Sequence, residues 1–316
     1  MKKIAIIYGG PSSEHEVSIN SAKNIFKNIN KKKYTVLDIY IDKKGIFNFK
    51  ENGKVIKKFL EKDFIVFLKS EKVYKVFPIL HGRYGEDGKF QKVLEKARIN
   101  FVGSSSKSSS LAIDKDKSNK IFSKNNILIP KSKIISQNNF NHSLNYPIIV
   151  KPIDEGSSFG LFKIENEKEF INKKDKIFSK YKKMLAQEFL SGREFTCGVL
   201  EIKNKIKSLT PSEIVLTKTK IFNYKAKYIK GKAEEITPAK IDKKLENKIK
   251  SLAKKCHRAL LCRNISRTDI ILNKRDNNLY VLETNTLPGM TETSFIPEEA
   301  KAVGISIEKL IDILID

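Results

Sequence analysis

Acidic and amide side chains follow one another at strand spacing near the carboxyl end of the chain. Arg267 and Asp269 are two residues apart in one predicted strand, and Glu283 and Asn285 are two apart in the next. Because side chains alternate between the two faces of a strand, pairing of these strands would bring three oxygen ligands together. A few hard oxygen ligands suit magnesium that is held jointly with substrate phosphates. A solvated sheet face with a salt bridge is the alternative explanation.

A loop rich in glycine and serine, 156–160, lies between two predicted strands and follows Lys151. Small residues allow backbone N–H groups to approach an anion closely, and a nearby lysine can contact phosphate. The spacing does not match a Walker loop, and Gly9-Gly10-Pro11 after the first strand lacks the G-x-G-x-x-G of dinucleotide-dependent oxidoreductases. An ordinary turn between two strands is the alternative interpretation.

Two segments near the amino end, 9–18 and 81–88, each follow a predicted parallel strand. Open α/β sheets bind ligands at the carboxyl ends of their strands. A carboxylate such as Glu14 could hold an ammonium group there, whereas Glu16 is interpreted as a helix-capping residue in a Ser13-x-x-Glu16 box. His81 considered alone is more often a structural residue than a catalytic one.

A Pro-Gly turn comes directly after the second acidic strand and is followed closely by Ser294. The backbone N–H of Gly289 could face a developing oxyanion. A simple turn explains this segment equally well.

The elements that must position these residues alternate between strands and helices in the first hundred residues. Strands are predicted at 4–8, 34–41 and 73–80, with helices after Ser13 and around 90–97, which indicates a mainly parallel sheet. Further strands are predicted at 146–151, 161–164, 186–190, 193–202, 206–216, 266–272 and 279–282, and further helices at 109–124 and 240–263. The chain is therefore predicted to have an α/β fold.

Composition excludes several functional classes. The 316 residues carry a formal net charge of +26, but lysine is spread along the whole chain without a basic tail or a block that alternates with aromatic residues. We therefore expect no specific nucleic-acid partner. The three cysteines are not in C-x-x-C spacing, which argues against a zinc site or a disulfide framework. Without a long apolar run or an export signal, we expect no membrane association and a cytoplasmic location.

Taken together in this order, the motifs resemble those of the D-alanine–D-alanine ligase family of the ATP-grasp superfamily. The matching segments extend along the chain at 8–18, 81–88, 114–115, 150–160, 192–196, 226–228, 267–269 and 283–291. The resemblance implies an ATP-grasp fold with an N-terminal parallel α/β domain, a small central domain and a C-terminal domain. The expected boundaries are 1–103, 104–186 and 187–316.

The resemblance implies ATP-dependent joining of two D-alanine molecules, through an acyl phosphate, to supply peptidoglycan synthesis. It also implies a homodimer and two Mg²⁺ (or Mn²⁺) ions. The expected catalytic residues are Glu14, Ser157, Tyr228, Arg267 and Gly289, and the expected substrate-binding residues are Glu14, His81 and Ser294. The expected ATP-binding residues are Lys115, Lys151, Ser157, Ser158, Gln187, Glu188, Phe189, Leu190, Glu194 and Lys227. The expected metal ligands are Asp269, Glu283 and Asn285, with Glu283 bridging.

Some positions depart from the family pattern. Gln187 stands where the family often has an acid, but its carbonyl can still accept from the adenine amino group. Lys225 replaces an acid in the loop Tyr224-Lys225-Ala226-Lys227-Tyr228, so the contact that this acid implies in relatives is not expected here. Relatives that use D-lactate tend to carry Phe at the last position of this loop, so Tyr228 favours D-alanine as the second substrate and leaves D-serine open.

Overall fold

A computed structural model of the chain describes residues 1–156, 159–216 and 233–316. The described residues form three β-sheets that follow one another along the chain. The first sheet has the strand order β4-β3-β2-β1-β5, the second β6-β9-β7-β8 and the third β12-β11-β10-β13-β14. This mixed arrangement confirms the predicted α/β class.

The first sheet contains a parallel centre, as predicted, because β1 pairs in parallel with both β2 and β5. Its parallel strands carry buried apolar residues. The segment after β1 leads into α1, and the segment after β5 leads into α3. The elements of this part are β1 (Lys2–Gly9), α1 (His15–Asn28), β2 (Tyr34–Ile41), β3 (Phe47–Glu51), β4 (Lys54–Phe59), α2 (Glu61–Ser70), β5 (Lys75–Ile79) and α3 (Lys89–Lys96).

Two details of this sheet differ from the sequence analysis. An antiparallel hairpin, β3–β4, extends the edge beside β2, and both residues of its Asn52-Gly53 turn have positive φ. The predicted capping box is wrong, since α1 begins at His15 with Glu14 at the N-cap position and no side-chain capping bond. The Glu14 carboxylate therefore does not bond to the first turn of its own helix.

The second sheet is small and antiparallel, and the predicted hairpin of β7 and β8 is one of its pairings. The prediction of a single helix over 109–124 is wrong in one respect, because the structure has two helices there, which meet at Asp114. Asp114 ends α4 and caps α5 by accepting from the Lys117 backbone N–H. The elements here are α4 (Ser106–Ile113), α5 (Lys115–Lys124), β6 (Ser132–Ser136), β7 (Ile148–Pro152), β8 (Phe162–Ile164), α6 (Glu167–Phe178) and β9 (Lys183–Glu188).

The third sheet is antiparallel throughout its described pairings. Its long strands β10 and β11 and the pair β13–β14 correspond to strands that the sequence predicted. The remaining elements are β10 (Gly192–Ile202), β11 (Lys205–Leu216), β12 (Ala233–Ile236), α7 (Lys243–Ala259), β13 (Ile265–Asn273), β14 (Leu279–Asn285), α8 (Phe295–Ala302) and α9 (Ile307–Ile315).

One hydrophobic cluster joins the first and third sheets. It includes Ile4 of β1, Ile25 of α1, Leu200 of β10 and Ile311 of α9, each of which is fully buried. The carboxyl-terminal helix thus packs beside α1, so that the edge of the first sheet where Glu14 and His81 emerge faces the strands that carry Arg267 and Glu283. No helix among the described residues combines the length and apolar character needed to cross a membrane.

Candidate active site

An elongated cleft opens between the second and third sheets, and we call it the inter-sheet cleft. One wall comes from β7 and β9, and the other from β10, β13 and β14. Every described residue that was expected to bind ATP lines this cleft: Lys115, Lys151, Gln187, Glu188, Phe189, Leu190 and Glu194. Asp269 and Glu283 line it as well, together with the apolar side chains of Ile149, Ile270 and Leu282.

Two buried lysines place positive charge at one end of the inter-sheet cleft. Lys115 is the first residue of α5, and its Nζ donates to the carbonyl of Glu155 at 2.6 Å and lies 3.4 Å from Oε2 of Glu283. Lys151 is in β7, where burial lowers the pKa of its ammonium to about 8 and the charge of Glu283 partly opposes that shift. A pair of desolvated ammonium groups is well suited to bind a polyphosphate.

The opposite end of the inter-sheet cleft is largely apolar. Gln187 lies in β9, is 3% exposed, and its Nε2 has no hydrogen-bond partner among the described residues. The strand ends at Glu188, and the Phe189 N–H donates to the carbonyl of Pro147 at 3.3 Å. Apolar walls with a few polar groups at one edge are typical of a site for an aromatic base.

The two predicted strands that carry Asp269 and Glu283 pair with each other. Asp269 lies opposite Glu283, and Arg267 lies opposite Asn285, in the antiparallel pairing of β13 with β14. Asp269 accepts from Arg267 at 2.9 and 3.0 Å and from the Thr196 hydroxyl at 2.7 Å. Burial alone would lower the pKa of the Arg267 guanidinium, but the paired carboxylate of Asp269 raises it overall, so Arg267 carries a permanent charge.

A second cleft adjoins the first, and we call it the adjoining pocket. It is lined by the described residues expected in catalysis or substrate binding, which are Glu14, His81, Arg267, Gly289 and Ser294, and by two of the expected metal ligands, Glu283 and Asn285. Only Glu283 belongs to the lining of both clefts as the structure describes them. The side chain of Glu283 therefore marks the point where the two clefts meet.

Glycines make room for the Glu14 carboxylate in the adjoining pocket. A Cβ atom at Gly82 would lie 3.1 Å from its Oε2, and one at Gly156 would lie 3.0 Å from the same atom. Arg83 pairs with Asp154 at 3.5 Å and with Glu155 at 3.3 Å, which holds the loop after β7 against the loop after β5. The backbone of loop 156–160 consequently starts beside Glu14.

His81 and Glu86 line the adjoining pocket beside Glu14, where His81 is buried and Glu86 is half-buried. The His81 Nδ1 atom is 3.1 Å from the Leu287 carbonyl, while its Nε2 has no partner among the described residues. Burial lowers the pKa of His81, so its imidazole is neutral at pH 7. Burial and then the charge of Glu14 raise the pKa of Glu86 to about 8, and the Gly82 N–H donates to its Oε2 at 3.0 Å.

The far wall of the adjoining pocket is the turn before α8. The Ser294 Oγ accepts from the Thr291 N–H at 3.0 Å and lies 2.7 Å from the Thr291 hydroxyl. A Cβ at Gly289 would lie 2.8 Å from Ser294 Oγ, so only glycine lets the 289 backbone lie beside this hydroxyl. Ser294 is the N-cap of α8 and makes no side-chain capping bond, which leaves its hydroxyl at the pocket.

Comparison with protein families identifies this arrangement. The model described as "D-ala D-ala ligase N-terminus" matches residues 3–104, and the one described as "D-ala D-ala ligase C-terminus" matches residues 118–316. The chain belongs to the D-alanine–D-alanine ligase family. It is a ligase with the three-domain ATP-grasp fold of that family, as the motifs predicted.

Individual relatives agree with this assignment over the full length of the chain. A D-alanine–D-alanine ligase of Carboxydothermus hydrogenoformans is 37% identical over 320 residues, which cover 98% of this chain and 96% of the relative. The VanG D-Ala:D-Ser ligase of Enterococcus faecalis has 31% identity and a TM-score of 0.84, with 99% and 98% coverage. The Bacillus anthracis D-alanine–D-alanine ligase complexed with ATP has 28% identity and a TM-score of 0.78, with 100% and 96% coverage.

Four of the residues expected at a ligase site of this family are not placed by the structure. Ser157, Ser158, Lys227 and Tyr228 lie outside the described residues, as does Lys225. The loop segment 156–160 is described at Gly156 and from Phe159 onwards, and Phe159 lines the inter-sheet cleft.

Some residues in or beside the clefts of this ligase were missed by the sequence analysis. Glu86 lies within a motif that was recognised, but its burial has no sequence signal. Thr196 shares a face of β10 with Glu194, so strand alternation could have indicated that it points toward Asp269. Glu299 is brought near Arg267 only by the packing of α8, and no local pattern announces it.

Proposed function

We propose that the two clefts form one active site in which this chain uses ATP to join two D-alanine molecules for peptidoglycan synthesis. The observation that carries the proposal is the position of Glu283. Its carboxylate lines both clefts, opposite Asp269 across two paired strands and 3.4 Å from Lys115. A phosphoryl group that must pass from a nucleotide in one cleft to a carboxylate in the other would cross at this point.

The reaction follows from the chemistry of the substrates. One carboxylate oxygen of the first D-alanine attacks the γ-phosphorus of ATP. The bond between this phosphorus and the oxygen that bridges to the β-phosphate breaks, which gives an acyl phosphate and ADP. The amine of the second D-alanine then attacks the acyl carbon, loses a proton, and displaces inorganic phosphate. Aligning and shielding negative groups is the main difficulty, so cations and oriented donors are needed rather than a nucleophilic side chain.

ATP occupies the inter-sheet cleft in this proposal. The apolar end beside Gln187–Leu190 takes the adenine, and Glu194 holds the ribose. Lys115 and Lys151, which are buried at the other end, bind the phosphates. Ser157, Ser158 and Lys227 are proposed to complete the phosphate contacts on the basis of the motifs alone.

Magnesium is proposed at the strand pair that carries Asp269, Glu283 and Asn285. The donor set fits the ion, because two carboxylates and an amide oxygen leave coordination positions for water and phosphate oxygens. No group of three acidic, histidine or cysteine side chains suited to a metal occurs among the described residues. Two Mg²⁺ or Mn²⁺ ions bound there would neutralise charge on the transferred phosphoryl group.

D-alanine occupies the adjoining pocket in this proposal. Glu14 binds the ammonium of the first molecule above the neutral His81, with Ser157 and Tyr228 ordering the site. The Arg267 guanidinium and the Gly289 N–H stabilise the oxyanion that forms when the amine attacks. Ser294, at the start of α8, receives the carboxylate of the second molecule.

D-serine is a second candidate for the acceptor substrate, favoured by the likeness to the VanG D-Ala:D-Ser ligase. Tyr228 bears on the choice between D-alanine and D-lactate and leaves D-serine open. We predict that Tyr228→Phe raises the ratio of D-lactate to D-alanine use as acceptor by about tenfold, since the hydroxyl is lost. Product analysis by mass with equimolar D-alanine, D-serine and D-lactate measures this ratio in parent and variant. An unchanged ratio would remove Tyr228 from the account of specificity.

The domain organisation and setting are also proposed. We place the first boundary near residue 103 and the second near residue 186, at the end of the second sheet, whose last strand β9 still pairs at Glu188. The chain is proposed to be a cytoplasmic homodimer, without a specific nucleic-acid or membrane partner. These proposals rest on the resemblance and on the even distribution of lysine.

An isotope experiment tests the proposed route. With D-alanine labelled by ¹⁸O in its carboxylate, the acyl-phosphate route transfers one labelled oxygen to inorganic phosphate for each dipeptide formed. Mass analysis of the phosphate measures this transfer. Phosphate without label, formed together with D-alanyl-D-alanine, would contradict the acyl phosphate while leaving the ligase activity intact.

A further inference from the structure

A buried carboxylate on α8 has no role in the mechanism described above. Glu299 is 0% exposed, accepts from the Gly198 N–H at 2.6 Å, and accepts from the Ser212 hydroxyl at 3.0 Å. The Ser212 hydroxyl in turn lies 2.7 Å from the Thr237 hydroxyl. Burying an acidic side chain is costly unless it is hydrogen-bonded, so these contacts stabilise the buried carboxyl group of Glu299.

The Gly198 N–H that donates to Glu299 lies at an irregularity in the third sheet. The register of β10 against β11 shifts between Cys197 and Val199, and Gly198 lies at the shift. A Cβ atom there would lie 2.9 Å from Glu299 Oε2 and 2.5 Å from Ile296 Cδ1. The bulge thus exposes a backbone donor, and the lack of a side chain lets α8 approach it.

The same bulge and the same helix both lead to the active site. Gly198 is paired with Arg267 across β10 and β13. Phe295 is four residues before Glu299 and therefore on the same face of α8, and its ring centroid is 5.6 Å from the Arg267 guanidinium carbon. Ser294 immediately precedes the helix. Glu299 is thus about 7 Å along the helix axis from the residue proposed to bind the second substrate.

We propose that Glu299 is a positioning residue that fixes α8 on the sheet, so that Ser294 and Arg267 are held at the spacing the second D-alanine requires. The inference rests on the proposed function. Glu299 acts through its hydrogen bonds to Gly198 and Ser212, and it contacts neither substrate nor nucleotide. Loss of these bonds lets the helix shift relative to the sheet, which displaces the start of α8 while leaving the inter-sheet cleft in place.

The hydrogen bonds of Glu299 predict different results for its replacement by glutamine and by alanine. Burial raises the pKa of Glu299 to about 8, partly opposed by the Gly198 N–H and the Ser212 hydroxyl. The carboxyl group is therefore close to neutral at pH 7, and a glutamine reproduces its shape. The glutamine carbonyl accepts from Gly198, and its amide donates to the Ser212 oxygen. Glu299→Gln should conserve the contact, whereas Glu299→Ala removes it.

Steady-state kinetics test the proposal. The rate is measured over a wide range of D-alanine concentrations and fitted with one constant for each D-alanine site, and ATP has a saturation curve of its own. We expect Glu299→Ala to raise KM for the second D-alanine by about tenfold, with KM for ATP and for the first D-alanine within twofold of the parent. Glu299→Gln should restore parent values within about twofold. Ser212→Ala, which removes one of the two contacts, should give a smaller rise, about threefold, in the same constant. Lys301→Ala, at an exposed position of the same helix, is the matched control.

Three outcomes would overturn the proposal. One is the lack of a selective effect in Glu299→Ala: either all three KM values rise equally, or none rises and only the active fraction, titrated with ATP, is lower. Another is a Glu299→Gln variant whose KM for the second D-alanine rises as much as that of Glu299→Ala, and the third is a Lys301→Ala control with the same selective defect. If Glu299→Ala does not fold, Ser212→Ala and Glu299→Gln still decide the question. Failure of the parent itself to form dipeptide would instead refute the proposed function.

Discussion

At the scale of the residue, Glu283 connects the two clefts. The Lys115 ammonium lies 3.4 Å away, and the carboxylate of Asp269 lies on the opposite strand. In the proposed reaction each cleft alone contains only part of what phosphoryl transfer requires, because the lysines proposed to bind phosphate are on one side and Glu14, proposed to bind the ammonium, is on the other. Substitution at this junction should therefore impair chemistry more than folding.

We predict that Glu283→Ala lowers kcat by about a thousandfold, because both proposed metal ions lose a ligand. Phosphate release measures the rate, and far-ultraviolet circular dichroism verifies that the fold is kept. Glu308→Ala, at an exposed position of α9, is the control and should leave the rate unchanged. Turnover of Glu283→Ala near that of the parent would overturn the metal assignment.

Glu86 gives a prediction on pH and stability. Its pKa is about 8 in the folded protein, against an ordinary value of 4.5. The folded state therefore holds a proton that the unfolded state releases, and the stabilising contribution, complete below pH 4.5, is lost as pH rises through 8. The parent should lose more stability between pH 5 and pH 8 than Glu86→Gln does, by an amount on the order of 2 kcal/mol.

Urea unfolding at several pH values measures this difference. Glutamine at position 86 can still accept from the Gly82 N–H, so the variant should fold. Glu16→Gln, at an exposed site of α1, should keep the pH dependence of the parent. Parallel pH curves for parent and Glu86→Gln would show that Glu86 is not the proton-binding group.

The residues of the two clefts were predictable where motifs specify them. Strand alternation predicted that Asp269, Glu283 and Asn285 come together if their strands pair, and the two strands do pair, with Asp269 opposite Glu283. Glu86 and Glu299 were not predictable, because the pKa of each is raised by desolvation between elements distant in sequence. A single sequence records which residues are acidic, but it does not record which of them are desolvated.

At the scale of the element, strands with clear apolar runs were predicted within a few residues, and short polar ones were missed. The strand predicted at 34–41 is β2, and the pairing of β13 with β14 is as expected. The hairpin β3–β4 was missed although Asn52-Gly53 is a strong turn signal, because most residues of β4 are exposed and show no apolar alternation. The break at Asp114 was also missed, since a capping aspartate resembles any polar helix residue.

Gly192, the first residue of β10, provides a prediction for this scale. A Cβ atom there would lie 1.9 Å from the Leu272 carbonyl oxygen, so β10 cannot pair with β13 at this point if a side chain is present. We predict that Gly192→Ala lowers the free energy of unfolding by about 2–3 kcal/mol and weakens ATP binding, because Glu194 is two residues further along the strand.

Urea denaturation and nucleotide titration measure the two effects. Gly53→Asn is a suitable control, since no atom lies within 4 Å of a Cβ at Gly53 and asparagine tolerates its positive φ. That variant should unfold within about 0.5 kcal/mol of the parent. Equal stability of Gly192→Ala and parent would mean that β10 and β13 can separate at this end without cost.

At the scale of the whole molecule, three sheets in sequence place two clefts side by side. The first sheet contributes the ends of β1 and β5, the second forms one wall of the inter-sheet cleft, and the third contributes residues to both clefts. Among the described lining residues, acidic side chains outnumber lysines in both clefts, so these residues do not concentrate the formal charge of +26 there. The overall charge therefore bears on non-specific attraction to polyanions at low salt rather than on the reaction.

The most direct test of the central claim is phosphate release from ATP and Mg²⁺ with a single amino acid added, and with products identified by mass. D-alanine alone should give one phosphate for each D-alanyl-D-alanine formed, whereas L-alanine should give neither. ATP binding with no dipeptide from D-alanine would contradict the account and show that this ATP-grasp site serves a different acceptor.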